Sequence, residues 1–127
     1  MAQAEQQAHP NFLVQGGLVT AEIGKVVARL KREPTWATSD RHGTSLVKGD
    51  GINVALMMLK KGAKLQEHHT KAPITVQVIA GRVKFFADGK PHLLTAGTLL
   101  ALDRAIAHSV EALDESVLIL TVGGDQI

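Results

Sequence analysis

Residues 74–102 read ITVQVIAGRVKFFADGKPHLLTAGTLLAL, a stretch in which short apolar runs alternate with turn residues. Ile74, Val76 and Val78 fall on one face of an extended chain and Thr75 and Gln77 on the other, because successive side chains of a strand point to opposite sides. The apolar triplet is therefore the expected inner set. Within the run Ile74 to Ile79 is one strand, Arg82 to Ala87 a second, Pro91 to Thr95 a third and Thr98 to Leu102 a fourth. Asp88-Gly89 stands between the second and third. This pair suits a two-residue type I′ hairpin, where both central residues take positive φ.

The same period-two pattern continues on both sides. Thr44 to Lys48 and Ile52 to Lys60 flank the turn Lys48-Gly49-Asp50-Gly51, and Ala107 to Glu111 and Ser116 to Val122 follow at the other end. No helical segment separates these strands, which argues against a parallel α/β sheet and points to a β-sandwich or small barrel. One amphipathic helix precedes them, from Thr20 to Glu33. Ile23, Val26, Val27 and Leu30 recur at helical spacing, with Glu22, Lys25, Arg29 and Lys31 on the opposite side. Thr20 is the expected N-cap, and Pro34 ends the helix by removing the helical option for Glu33. Residues 1–17, rich in Gln and Ala and closed by Gly16-Gly17, read as a flexible N-terminal arm. The expected organisation is that arm, then a single domain over 18–127 with its barrel core at about 44–122.

A chain of 127 residues with 45% hydrophobic and 20% charged residues has enough apolar material for one core and one domain. Fourteen Lys and Arg against 12 Asp and Glu leave a net charge of only +2. The sole aromatic residues are Phe12, Trp36, Phe85 and Phe86. Nucleic acid is not the expected partner, since its binders cluster basic residues among stacking aromatics. The N-terminal residues show no charged-then-apolar signal pattern, and no apolar run nears the ~20 residues of a membrane span, so the expected location is cytoplasmic with no membrane partner. Cysteine is absent, which excludes disulfides, thiolate metal sites and cysteine nucleophiles. Any metal must rest on His, carboxylate or neutral oxygen.

Six histidines remain as the chemistry-bearing residues: His9, His42, His68, His69, His92 and His108. His68 ends the segment Gly62 to Thr70, and His108 opens the strand His108-Ser109-Val110-Glu111. Being adjacent, His68 and His69 cannot both enter one interior unless a bulge intervenes, whereas His68 and Thr70 share a face. His42 is expected in a solvent-facing loop, His92 on a strand surface, Met57 and Met58 in packing, and Trp36 as a cover over the barrel or a subunit contact. No phosphate-cradling glycine loop, Gly-x-Ser-x-Gly elbow or His-Glu-x-x-His helix is present.

With these residues in place the chain resembles the cupin superfamily. That family's first motif is Gly, five residues, His-x-His, three or four residues, Glu, six residues, Gly. Gly62, His68-His69-Thr70, Ile74 and Gly81 stand at those spacings. Its second motif is Gly, five residues, Pro-x-Gly, two residues, His, three residues, Asn, matched in spacing by Gly97, Asp103-Arg104-Ala105, His108 and Ala112. The resemblance implies a mainly β fold: a single cupin-like double-stranded antiparallel β-barrel of jelly-roll type, here with one N-terminal amphipathic helix, usually forming a homodimer. It also implies a divalent metal held by three His and one Glu. Thr70 replaces the second of those His and Ile74 the Glu, while Asp103, Ala105 and Ala112 replace Pro, Gly and Asn.

The expected site is therefore a polar pocket of His68, His108, Thr70, Val76 and Gln77, binding a small molecule of unknown identity. A divalent transition metal (Fe, Mn, Ni or Zn) would rest on His68 and His108, joined by His69 through a bulge or by Gln77 if the register turned it inward. Three functions stay open: a small-molecule-binding barrel, a metal-dependent oxygenase or isomerase with a reduced ligand set, and a structural dimer with a vestigial interior.

Overall fold

The alternation read at 74–102 becomes strand structure in the computed structural model, which describes residues 18–123. The arm expected over 1–17 lies outside the described residues. Two short helices, α1 (Ile23–Arg32) and α2 (Pro34–Thr38), precede β1 (Arg41–Gly49), β2 (Ile52–Leu59), β3 (Lys64–His68), β4 (Ile74–Ala80), β5 (Arg82–Ala87), β6 (Lys90–Thr95), β7 (Leu99–Leu102), β8 (His108–Ala112) and β9 (Ser116–Gly123). Two antiparallel sheets result, ordered β1-β2-β9-β4-β7 and β3-β8-β5-β6, which face each other as a jelly-roll barrel. Among the described residues no helix is long and apolar enough to cross a membrane.

Alternation decides which side chains meet between the sheets. Ile74, Val76 and Val78 of β4 pack there with Leu118, Val83, Phe85 and Val110, all buried. The opposite face of the larger sheet carries a second apolar cluster. Leu56, Met58 and Val117 meet Leu30 there, with Ile23, Val26 and Val27 of α1 partly buried against them. The helical stripe thus covers the outside of β2 and β9, and the barrel interior is built without it. Met57 and Met58, being neighbours on β2, divide between the two clusters as packing residues.

The turn at Asp88-Gly89 takes φ values of 52° and 78°, the paired positive angles of a type I′ hairpin, and joins Ala87 to Lys90 across the β5–β6 pair. Gly81, between β4 and β5, has φ 85°, and a Cβ there would fall on the Glu115 carbonyl oxygen and Ser116 Oγ. Only glycine fits this crossing.

Several boundaries differ from the sequence expectation. The helix begins at Ile23 with Glu22 as N-cap and no side-chain capping bond, not at Thr20. Ordering begins where the buried stripe begins, because a short helix is held by packing more than by propensity. Pro34 ends α1 as expected, but it also occupies the first position of α2, where its missing N–H costs nothing. Trp36 of α2 packs against the helix–sheet cluster, with the Lys60 ammonium 4.8 Å above its ring. β3, absent from the expected strands, pairs with β8. β1 starts at Arg41 and so takes His42 out of the expected loop. His42 is half-buried, and its Nε2 meets Glu33 Oε1 at 2.7 Å, tying the helix junction to the sheet.

Candidate functional site

β3 and β8 bring the two singled-out histidines together. Leu65 lies opposite Val110 and His68 opposite His108, so β3 advances three residues while β8 advances two. This bulge lets Leu65 and His68 both point inward, although strict alternation would put them on opposite faces. The ring centroids of His68 and His108 are 4.3 Å apart at an interplanar angle of 62°. Phe85 lies behind His108, nearly parallel, with centroids 5.7 Å apart. His108 is 3% exposed, whereas His68 is exposed and forms the rim.

Each ring is oriented by its own chain. His68 Nδ1 donates to the Gln66 carbonyl oxygen at 3.0 Å, and His108 Nδ1 donates to the Ile106 carbonyl oxygen at 2.9 Å. A carbonyl only accepts, so Nδ1 carries the hydrogen in both rings, and the neutral form of each keeps its lone pair on Nε2. Burial holds the His108 imidazole below its ordinary pKa against the bond to Ile106, and the nearby imidazoles of His68 and His69 push in the same direction as burial.

The space in front of the rings is small and apolar. Ile74, Val76, Phe85, Leu118 and Leu120 wall it beside the two histidines, and its volume is about 30 Å³. That is room for a water molecule or a few ligand atoms, against the several hundred Å³ of a pocket that swallows a whole ligand. A larger groove of about 460 Å³, lined by Thr75, Ala101, Asp103 and Thr121 among others, lies away from the histidines.

Of the expected site residues, the structure brings together His68, His108 and Val76. The other three stand apart. Gln77 is exposed beside Leu99 and Ile119, on the outer side of β4 where alternation from buried Val76 must put it. Thr70 spends its hydroxyl on the Ala72 carbonyl oxygen at 2.7 Å and accepts the Ala105 N–H on its own carbonyl at 2.9 Å. It fastens the loop after β3 to the loop before β8 and does not line the cavity. His69 is exposed beyond the end of β3, since the bulge that admits His68 leaves its neighbour outside. Leu65 and Phe85 are site residues that sequence reasoning missed. Phe85 shares the inward parity of Val83, a signal that was readable, whereas nothing local announces the bulge that turns Leu65 inward.

No protein-family model matches the sequence, and no curated protein matches it either. Solved structures do. An RmlC-like cupin from Shewanella frigidimarina aligns over 66% of this chain and 76% of its own at 20% identity, with a TM-score of 0.64. The chain has a cupin fold. A conserved Streptococcus pyogenes protein of unknown function shares this cupin architecture over 94% of this chain and 96% of its own, at 15% identity and a TM-score of 0.66. Salicylate 1,2-dioxygenase from Pseudoaminobacter salicylatoxidans matches 66% of this chain but only 25% of its own, at 13% identity and a TM-score of 0.63.

The metal that cupin motifs imply does not fit the residues present. Ile74, in the place of the motif's Glu, is 4% exposed and belongs to the apolar wall. Thr70, in the place of the second His, has its hydroxyl committed elsewhere. Among the described residues no three His, Asp or Glu side chains converge as a metal would require. Two imidazoles fall short of the three or more protein ligands that hold a first-row divalent ion firmly.

Proposed function

We propose that this chain is a small-molecule-binding cupin barrel whose polar contact is the His68–His108 pair, working without a bound metal. The observation that carries the reading is the convergence of the two rings at 4.3 Å over an apolar cavity, each with Nδ1 tied to a carbonyl. Orienting two side chains in this way fixes where their remaining nitrogens can act. Apolar walls with a few converging polar groups are the ordinary composition of a ligand site. At about 30 Å³ the cavity takes the head of a molecule and leaves the rest at the rim, beside exposed His68.

The metal-dependent oxygenase or isomerase reading has one feature in its favour. Imidazoles that bind metal commonly donate their other nitrogen to a carbonyl, as both do here. The donor count weighs against it, and the likeness to a dioxygenase, at 13% identity, carries the fold alone.

Two measurements on untagged protein separate these readings. A fragment screen followed by NMR should give hits that shift His108, Val76 and Phe85 and are lost in His68→Ala and His108→Ala. Elemental analysis should show no stoichiometric Fe, Mn, Ni or Zn. One metal per chain, lost in both variants, would overturn the metal-free reading.

A further inference from the structure

The polar complement of the pocket is one-sided. Both imidazoles spend their only neutral-state donor on the backbone, His68 on Gln66 and His108 on Ile106, so each offers the cavity an acceptor. The rest of the lining is aliphatic or phenyl and offers no side-chain donor. From this geometry we infer that the pocket selects ligands whose head donates hydrogen bonds, a hydroxyl or an amino group, over carboxylate and phosphate heads. The inference rests on the pocket reading above and adds to it the chemistry of the ligand.

The physical reason is the asymmetry of hydrogen bonding in a dry site. A head that donates gains a bond to Nε2 and replaces the water it loses on entry. A carboxylate brings only acceptors to acceptors, and its desolvation goes uncompensated in apolar surroundings. An anion could reverse the rule only by charging an imidazole. For His108 burial opposes that and outweighs the bond to Ile106, and the neighbouring imidazoles push the same way as burial. No carboxylate side chain lines the cavity to assist or compete. Preference for the donating head should therefore reach ~10-fold or more over an anion of the same shape.

The test uses the full chain at pH 8, where an ordinary imidazole is neutral. Long-range ¹H–¹⁵N correlation of the histidine rings should report the Nδ1–H tautomer for both His68 and His108. Titrations with benzyl alcohol, benzylammonium and benzoate then compare three heads on one ring. The expected result is saturable shifts of both histidines with the alcohol or the ammonium, at ~10-fold or greater affinity over benzoate. The alcohol and ammonium arms tell which donor is preferred. Benzoate binding as tightly as either donor, with the binding lost in His108→Ala, would overturn the donor rule and leave the pocket reading standing. An Nε2–H tautomer on either ring would likewise overturn the rule alone. Silence of the ring signals to all three probes would count against the pocket reading itself.

Discussion

Ala105 takes φ 66° at the place where the cupin pattern carries glycine, and its N–H is held by the Thr70 carbonyl. A left-handed alanine costs roughly 1–2 kcal/mol, part of which glycine would return as unfolded-state entropy. Ala105→Gly should therefore stabilise the chain by about 1 kcal/mol and raise Tm by ~4 °C, measured by thermal unfolding. His108 gives a pH dependence. Its pKa lies below the ordinary imidazole value of 6.5, so below that pH the unfolded chain takes up a proton that the folded chain resists. Stability from this group is fully present above about pH 6.5 and is lost as pH falls from there through the folded value. Tm should drop between pH 7.5 and 5.5, and the slope should be shallower in His108→Gln. At this scale the sequence was partly legible. Spacing to strand boundaries singled out His68 and His108, whose rings the fold brings together, whereas the role of Thr70 depends on two loops meeting, which no local pattern encodes.

At the scale of elements, the bulge in β3 does most to shape the site. Parity along a strand can be read from apolar alternation, which is why Val76 was placed inside and β2 and β4 to β9 were bounded to within one residue. A bulge breaks that parity, and the partner strand decides where it falls, so β3 with its exposed Lys64, Gln66 and Glu67 carried no strand signal of its own. Helix α1 was legible as an amphipathic stripe, but which sheet face it covers was not. Because it packs outside, its loss should leave the histidines alone. Leu30→Ala should cost about 3 kcal/mol in urea unfolding while the ring signals of His68 and His108 keep their positions. Gly81→Ala, which drives a Cβ into the β8–β9 turn at a positive φ, should cost about 3 kcal/mol or more by the same measurement.

For the whole molecule, the two sheets leave four edges among the described residues. β1 carries Arg41 and Lys48, β3 Lys64 and Glu67, and β6 Lys90 and Pro91, groups that discourage edge-to-edge pairing. β7 reads Leu99-Leu100-Ala101-Leu102, with Leu99 61% exposed. We propose β7 as the edge through which a homodimer, the assembly the cupin resemblance implies, would form. Leu99→Lys should shift light scattering toward the monomer mass. A β-sandwich or small barrel was legible because many short alternating strands leave few other architectures, and the jelly-roll form came from the cupin resemblance. The ligand set was less so, since it depends on which side chains share an interior after a bulge and two loops have taken their places. Everything functional here depends on His68 and His108 sharing one cavity. The direct test is a NOESY spectrum on histidine-labelled protein at pH 8. At a centroid separation of 4.3 Å the ring protons of His68 and His108 should give strong cross-peaks to one another, and those of His108 to Phe85. Assigned rings with no mutual cross-peak, and with His108 shifts unmoved in His68→Ala, would contradict the account.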